Sequence, residues 1–395
     1  MTFGRQLRDE WLLDPTLTYL NHGTVGATPR AVLAAQRALM DECERQPSRF
    51  MLRELTSTAV GLPRADRPRL RVAADAVAAF VGAEGRDLVF VENTTSGVNA
   101  VLRSFPWQPG DELLIADHAY GAVALAARYA TRERGATVTT VALTPPFSAA
   151  SLADAFEAAI TPRTRLAVVD HISAESALVL PLADIAARLK ARGVLVLADG
   201  AHAPAGIPLD VPSLGVDWYV ANLHKWAFVP RSSGFLWTTP ALQPHVHPPV
   251  ISWALDKGYT DEFDQVGTRD PSTHLSAPAA LAFIEHLGGV DAVLAHNHDL
   301  AWRGAHYLAS QWGVSFETPE ALIGSMATVP LPASFGSTRD DAAALRDALL
   351  FEDGIEVAVA AAYGRLQTRV AAQVYVDMTD YERLAAAVLA RTRRS

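Results

Sequence analysis

The 395 residues are 50% hydrophobic and 19% charged, a composition that supports buried cores in two or more domains and excludes a disordered chain. A net charge of -9, from 34 basic and 43 acidic residues, gives no electrostatic reason to expect nucleic acid or an anionic membrane as partner. The single cysteine, Cys43, excludes an internal disulfide framework and a multi-cysteine metal site.

Met1 to Asp14 alternates charged and apolar residues without an apolar central run, so no signal peptide is expected. No stretch nears the roughly 18 uninterrupted apolar residues of a membrane span, and the expected location is the cytoplasm. Arg30 to Arg45 has helical spacing that puts Cys43 on the apolar stripe with Leu39 and Met40, as a packed thiol. Between about residues 65 and 240, strand patterns run over Asp87 to Val91, Glu112 to Ile115, Thr137 to Val141, Arg165 to Val169, Val194 to Leu197, Trp218 to Val220 and Gly234 to Trp237. Helical patterns separate them at Ala119 to Arg134, Ser151 to Ile160 (with Ser151 and Asp154 spaced as a capping box) and Leu182 to Arg192. Such alternation predicts an α/β fold, a mostly parallel sheet with helices on both faces, whose ligands gather at the carboxyl ends of the strands. Pro240 to Pro271 is rich in Pro and His and reads as a long irregular excursion. Beyond Ser276 the helices Ala277 to Leu287 and Asp291 to Trp312 precede shorter mixed elements. The expected division is an N-terminal segment at 1–60 packing with the small domain and active site, a large domain at 61–275 and a smaller α+β domain at 276–395. The terminal Arg391-Thr-Arg-Arg-Ser395 reads as a solvated tail.

The chain has no G-x-G-x-x-G, G-x-x-x-x-G-K-[ST], G-x-S-x-G or H-E-x-x-H, which removes the main support for dinucleotide, P-loop, serine hydrolase and zincin readings. The close pairs His245/His247 and His296/His298 lack a third ligand at zinc spacing, and no metal is expected. The remaining chemistry converges on Lys225, in Asn-Leu-His-Lys-Trp, and on Asp199, which ends an apolar strand. A lysine can condense with an aldehyde, and a buried carboxylate can keep a pyridine nitrogen protonated; together they suggest pyridoxal 5'-phosphate. Thr94, Thr95 and Ser96 stand where a strand runs into a helix, placed to cup a phosphate or simply to cap the helix. His202, three residues after Asp199, could reach the ring's phenolic oxygen, and Asn222 and His224 offer donors to the phosphate. His118 and Tyr120 follow another strand end, where a ring could stack on the cofactor.

Tyr19-Leu-Asn-His-Gly-Thr-Val-Gly26, Asp199-Gly-Ala-His-Ala-Pro204, His224-Lys-Trp226, Gly267-Thr-Arg-Asp270 and Arg369-Val-Ala-Ala-Gln-Val-Tyr375 resemble, in order and over about residues 10 to 390, the class V branch of fold type I pyridoxal phosphate enzymes, in particular the isopenicillin N epimerase-like group. The resemblance implies that Lys225 forms the imine, Asp199 pairs with the pyridine nitrogen, His118 stacks on the ring and His202 lies near the phenolic oxygen. It gives the phosphate to Thr94, Thr95, Asn222 and His224, and the substrate α-carboxylate to Arg369, with Asn21 and His22 of the first motif nearby. It also implies a homodimer in which Thr268 and Arg269 reach into the neighbour's site. Departures from the pattern are Ala174, where relatives carry Asn, Asn222, where Ser is common, and Val376, where a polar residue is common.

An amino-acid substrate held by such a constellation has its α-carbon acidified, with Lys225 as general base. Epimerisation or racemisation, the leading expectation, needs a second acid, or a mobile shuttle, on the opposite ring face, for which His118 and Tyr120 are candidates. C-S β-elimination, the alternative, needs the lysine and a leaving group; transamination comes third. A persulfide-forming desulfurase needs a loop cysteine that Cys43 does not supply, and a regulator of transcription needs an attached DNA-binding module.

Overall fold

The computed structural model describes residues 2–57 and 67–392; the expected boundary at 60/61 and the last three residues of the basic tail lie outside the described residues. Twelve strands are present among them: β1 (Thr18–Tyr19), β2 (Leu88–Val91), β3 (Glu112–Ala116), β4 (Thr137–Val141), β5 (Thr164–Asp170), β6 (Leu195–Asp199), β7 (Trp218–Asn222), β8 (Gly234–Thr238), β9 (Met326–Pro330), β10 (Ile355–Glu356), β11 (Ala358–Ala362) and β12 (Arg365–Ala371). The seven from β2 to β8 form one sheet in the order β2-β8-β7-β6-β5-β3-β4. Neighbours from β3 to β7 are parallel, and β8 runs antiparallel to both β7 and β2. This is the α/β fold that the alternating pattern predicts.

Strand side chains divide by period two between two apolar clusters. Leu113, Ile115, Leu166, Val168, Leu197 and Val220 pack with helices Thr94–Ser104 and Gly121–Arg132 on one face. Leu114, Ala167, Val169, Val196, Ala198 and Tyr219 join the larger cluster on the other. Burial on both faces explains why the central strands read as continuous apolar runs rather than alternating ones.

Several boundaries moved, and two of the moves bear on the site. β5 and β7 extend beyond their expected ends to Asp170 and Asn222, and β6 ends at Asp199 as expected, so their last side chains stand on one edge of the sheet. The capping box belongs to Ser148 and Ser151 of helix Ala149–Ala158, not to Ser151 and Asp154, because the helix starts two residues earlier. Cys43 is partly buried and packs against the larger cluster. The excursion Pro240 to Pro271 contains a short helix, Tyr259–Asp264.

A second sheet, β11-β12-β9, is antiparallel and carries helices Val290–Trp312 and Arg339–Phe351 against it. The chain's beginning is tied to this region: β1 pairs in parallel with β10, and Ala371 N donates to Leu20 O at 2.8 Å. That tether aims Asn21 to Gly26 at the carboxyl edge of the large sheet. Among the described residues, no single helix is long and apolar enough to cross a membrane, and no group of three or more His, Cys, Asp or Glu could hold a metal ion.

Candidate active site

Lys225 lies three residues beyond the end of β7, in a turn closed by Leu223 N donating to Ser233 O at 2.9 Å and anchored by the fully buried Trp226. The N-terminal segment holds its backbone from the other side. His22 places Nε2 2.8 Å from the Lys225 carbonyl and Nδ1 2.7 Å from the Tyr375 hydroxyl. A carbonyl can only accept, so Nε2 carries the proton and Nδ1 accepts from the tyrosine; burial pushes this imidazole down to about 4 and keeps it neutral. His22 is therefore a strut under Lys225 and not among the residues lining the cavity, a correction to its expected place beside substrate. The approach is close enough to require glycine at position 26, where φ is +69° and a Cβ would sit 2.0 Å from the His224 carbonyl oxygen.

Lys225 Nζ faces a cavity of about 370 Å3, lined also by Thr24, Thr94, Asp170, Asp199, His224 and Arg369 among others; this is within the range of small-ligand sites. Its nearest polar partner is His202 Nε2 at 2.9 Å. Trp226 Nε1, a donor only, reaches His202 Nδ1 at 3.4 Å, so the proton of His202 sits on Nε2 and points at the amine. Such a donor requires a neutral lysine. Burial and the Arg369 guanidinium push Lys225 down to about 7, against the opposing pull of Asp199, and burial holds His202 far below its usual range. The amine is thus poised as a nucleophile and base near neutrality.

Opposite charges occupy different ends of the cavity. Asp199 ends β6, accepts from Ala201 N at 3.0 Å, and is paired in strand register with Asp170 at the end of β5. Both are 3% exposed, and Asp170 Oδ2 is buried without a partner. Two neighbouring carboxyls in one apolar wall cannot both ionise cheaply; burial, then the charge of Asp199, raises Asp170 well above the usual carboxylate range, and Asp170 is the one that keeps its proton. Sequence reasoning missed it by ending the strand one residue early, at Val169.

At the other end, helix Thr94–Ser104 points its N-terminus into the cavity. Asn93 caps it by accepting from Ser96 N at 2.9 Å, and Asn222 Oδ1 accepts from Thr94 N at 2.9 Å, clamping the helix to the end of β7. Ser96 is used in the cap and is not among the lining residues; Asn93, which the sequence analysis did not single out, is. Thr94 Oγ1 is buried with no partner, and His224 Nδ1 lies 2.7 Å from Ser233 O. An unused hydroxyl at a helix N-terminus, beside His224, is a fit for a phosphate, while the carboxyl pair fits a protonated pyridine nitrogen. The residues present therefore match the group that the sequence motifs imply.

Arg369 projects from β12. Its amino groups donate to Asn21 Oδ1 (3.2 Å), Thr24 Oγ1 (2.7 Å) and the Ala174 carbonyl, while Nε is buried and unpaired. Burial lowers this guanidinium to about 10, still charged at neutral pH. Asn21 steadies Arg369 and donates to Glu356 Oε1 at 2.7 Å without lining the cavity; Thr24 takes that place.

Two expectations differ in the structure. His118 is not among the lining residues: its Nδ1 is 2.9 Å from Ser176 Oγ and its Nε2 2.5 Å from the Tyr363 hydroxyl, which turns it to the adjoining cavity. Tyr120 does line the Lys225 cavity and is half exposed. Thr268 is exposed and Arg269 is paired with Glu92; neither lines the cavity of its own chain.

The aminotransferase class-V pattern matches residues 29–372. A probable chloroplastic L-cysteine desulfhydrase of Arabidopsis thaliana is 30% identical over 95% of this chain and 83% of its own. An isopenicillin N epimerase of Streptomyces clavuligerus is also 30% identical, over 98% of each chain. In fold, a cysteine desulfurase from Thermococcus onnurineus NA1 superposes with a TM-score of 0.80 at 17% identity, covering 100% of this chain and 99% of the other. Equal identity to proteins named for different reactions leaves the choice of chemistry to the site.

Proposed function

Because this chain belongs to the class-V aminotransferase family of pyridoxal phosphate-dependent enzymes, we propose that it is a C-S lyase releasing the β-sulfur substituent of cysteine or a cysteine derivative. When bound, the cofactor supplies an electron-withdrawing ring that acidifies the substrate α-carbon. Every remaining task falls to side chains. Asp199 would meet the pyridine nitrogen, with Asp170 holding a proton beside it, and the His202 Nε2-H would serve the phenolic oxygen. Thr94, Thr95, Asn222 and His224 would hold the phosphate, and Arg369 would hold the α-carboxylate. Lys225 takes the α-proton, the carbon-sulfur bond breaks with its electron pair leaving on sulfur, and hydrolysis gives a 2-keto acid and ammonia.

The carrying observation is that the cavity has one strong base. Lys225 is lowered to about 7 by burial and Arg369 and so is available as a base around neutral pH, whereas both nitrogens of His118, the first candidate for an opposite-face acid, are occupied by Ser176 and Tyr363. Elimination needs one base, whereas inversion needs in addition a second acid or a mobile shuttle on the opposite face. Tyr120 at the wall supports a second reading, epimerisation, which the motif resemblance places first. Incubation of the holoenzyme with cysteine and S-alkylcysteines in deuterated buffer separates the two: 2-keto acid with ammonia is expected, and accumulation of inverted, α-deuterated amino acid without keto acid would overturn the lyase reading. The exposure of Thr268 and the outward place of Arg269 support a homodimer with shared sites, checked by sedimentation and by loss of cofactor retention on dilution.

A further inference from the structure

Beyond the Lys225 cavity, two more cavities continue in line, joined by shared walls. Glu175 borders the first and second, and Ser176, Thr328, Tyr363 and Gln367 border the second and third. One strand runs beside all three. Arg369, Gln367 and Arg365 alternate along β12 and so share a face, and they line the first, the second with the third, and the third cavity respectively. At about 3.3 Å per residue, the outer arginine stands roughly 13 Å along the strand from the inner one.

Groups along this row lack the protein partners that buried polar atoms normally have. Gln367 is 8% exposed, and its carboxamide has no hydrogen-bond partner among the described residues. Arg365 gives one amino group to the Leu331 carbonyl at 3.0 Å, but its Nε is buried and unpaired. The adjoining wall comes from the same hairpin: the β11-β12 turn places Tyr363 and Gly364 at φ 52° and 73°, a two-residue turn that presents the Tyr363 hydroxyl to His118. A strained tyrosine in a tight turn has a cost that the wall it builds makes intelligible.

We propose that this row is a subsite for an extended substrate side chain ending in a carboxylate. With the α-carboxylate on Arg369, the side chain passes Gln367, which hydrogen-bonds its middle, and the distal carboxylate meets Arg365. The two acids on the route, Glu175 and Glu317, repel a carboxylate that stops short or overshoots, so chain length is selected as well as charge. Resting on the lyase reading, the substrate class is a cysteine whose sulfur carries a carboxylated chain several atoms long, the sulfur leaving with that chain.

The test is titration of the holoenzyme's visible absorbance with S-carboxyalkylcysteines of increasing length and with the matching primary amides. Carboxylates of the best length are expected to bind roughly 10- to 100-fold more tightly than their amides, the range of one charge-assisted hydrogen-bonded contact. Arg365→Met is expected to bring that ratio near one, Arg365→Lys to keep part of it, and Gln367→Ala to weaken both ligands alike. A ratio near one in the native protein, or a ratio unchanged in Arg365→Met, overturns the subsite. Binding is read from the initial absorbance change, before product accumulates, and the product is identified separately, so a charge preference accompanied by inverted amino acid instead of keto acid would leave the subsite standing and remove the lyase reading.

Discussion

The inner cavity and the outer row meet polar needs to different degrees. Around Lys225 most catalytic groups already have protein partners: Lys225 with His202, Asp199 with Ala201 N, His224 with Ser233 O, and Arg369 with Asn21 and Thr24. Thr94 Oγ1, Asp170 Oδ2 and Arg369 Nε are left unpaired where the cofactor and substrate would meet them. Along the outer face of β12, Arg365 has one bond, to the Leu331 carbonyl, while its Nε and the Gln367 carboxamide have none among the described residues. A preorganised constellation serves one chemistry and resists change, whereas unpaired donors are left for whatever arrives. Catalysis is thus built on the carboxyl edge of the large sheet, and selection on a strand of the second sheet.

The sharpest break in that comparison is removal of the amine. Lys225→Ala is expected to lower turnover about a thousandfold or more and to abolish borohydride trapping, while the outer row still discriminates carboxylate from amide. Loss of both together would mean that the two regions are not separable. Next in size is Gly26→Ala, whose Cβ would strike the His224 carbonyl at 2.0 Å in a left-handed backbone. A loss of about 2 to 4 kcal/mol in denaturant unfolding is expected, with weaker cofactor retention because the segment of residues 22–26 supports Lys225. A neutral result would show that the tether does not position the amine.

How much of this was readable follows the same line. Lys225, Asp199, His202 and the Thr94-Thr95 pair were legible because each chemistry demands a residue type at a fixed place beside a strand end. Asp170 was one residue past a visible strand and needed only the correct boundary. His118 was legible as a residue but not as a contact: its partner Tyr363 is 245 positions away, and local pattern carries no trace of such a pairing. Arg365 and Gln367 look like ordinary strand residues until the loop of Glu175 and Ser176 is folded against them. The His22 strut was likewise hidden, since an imidazole beside substrate and one beneath a lysine carbonyl have the same neighbours in sequence.

A smaller effect probes the electrostatics of the inner site. With Lys225 near 7, the neutral amine predominates above that pH, so the rate of pyridoxal phosphate capture by apoprotein, followed by absorbance, should rise through pH 7 and level off. Arg369 lowers the lysine's value, hence Arg369→Gln should move the midpoint upward. An unshifted midpoint would remove Arg369 as a cause of the lysine's low value.

The smallest effect belongs to Asp170, and its sign is informative. Its folded-state value is raised by burial and by Asp199, so the folded chain holds a proton that the unfolded chain releases above about pH 3.9. The slope of unfolding free energy with pH follows protons bound unfolded minus folded, and is negative here. The stability that the bound proton contributes is complete below the unfolded value and is lost as pH rises towards the folded one. Asp170→Asn, which mimics the protonated form, removes this loss. Apoprotein carrying that substitution should match the native chain at pH 4 and be more resistant to urea at pH 8, with turnover nearly unchanged because Asp199 still meets the ring nitrogen. Equal urea midpoints at both pH values would place the shared proton on Asp199 instead, and would take from the inner site the charge on which its chemistry depends.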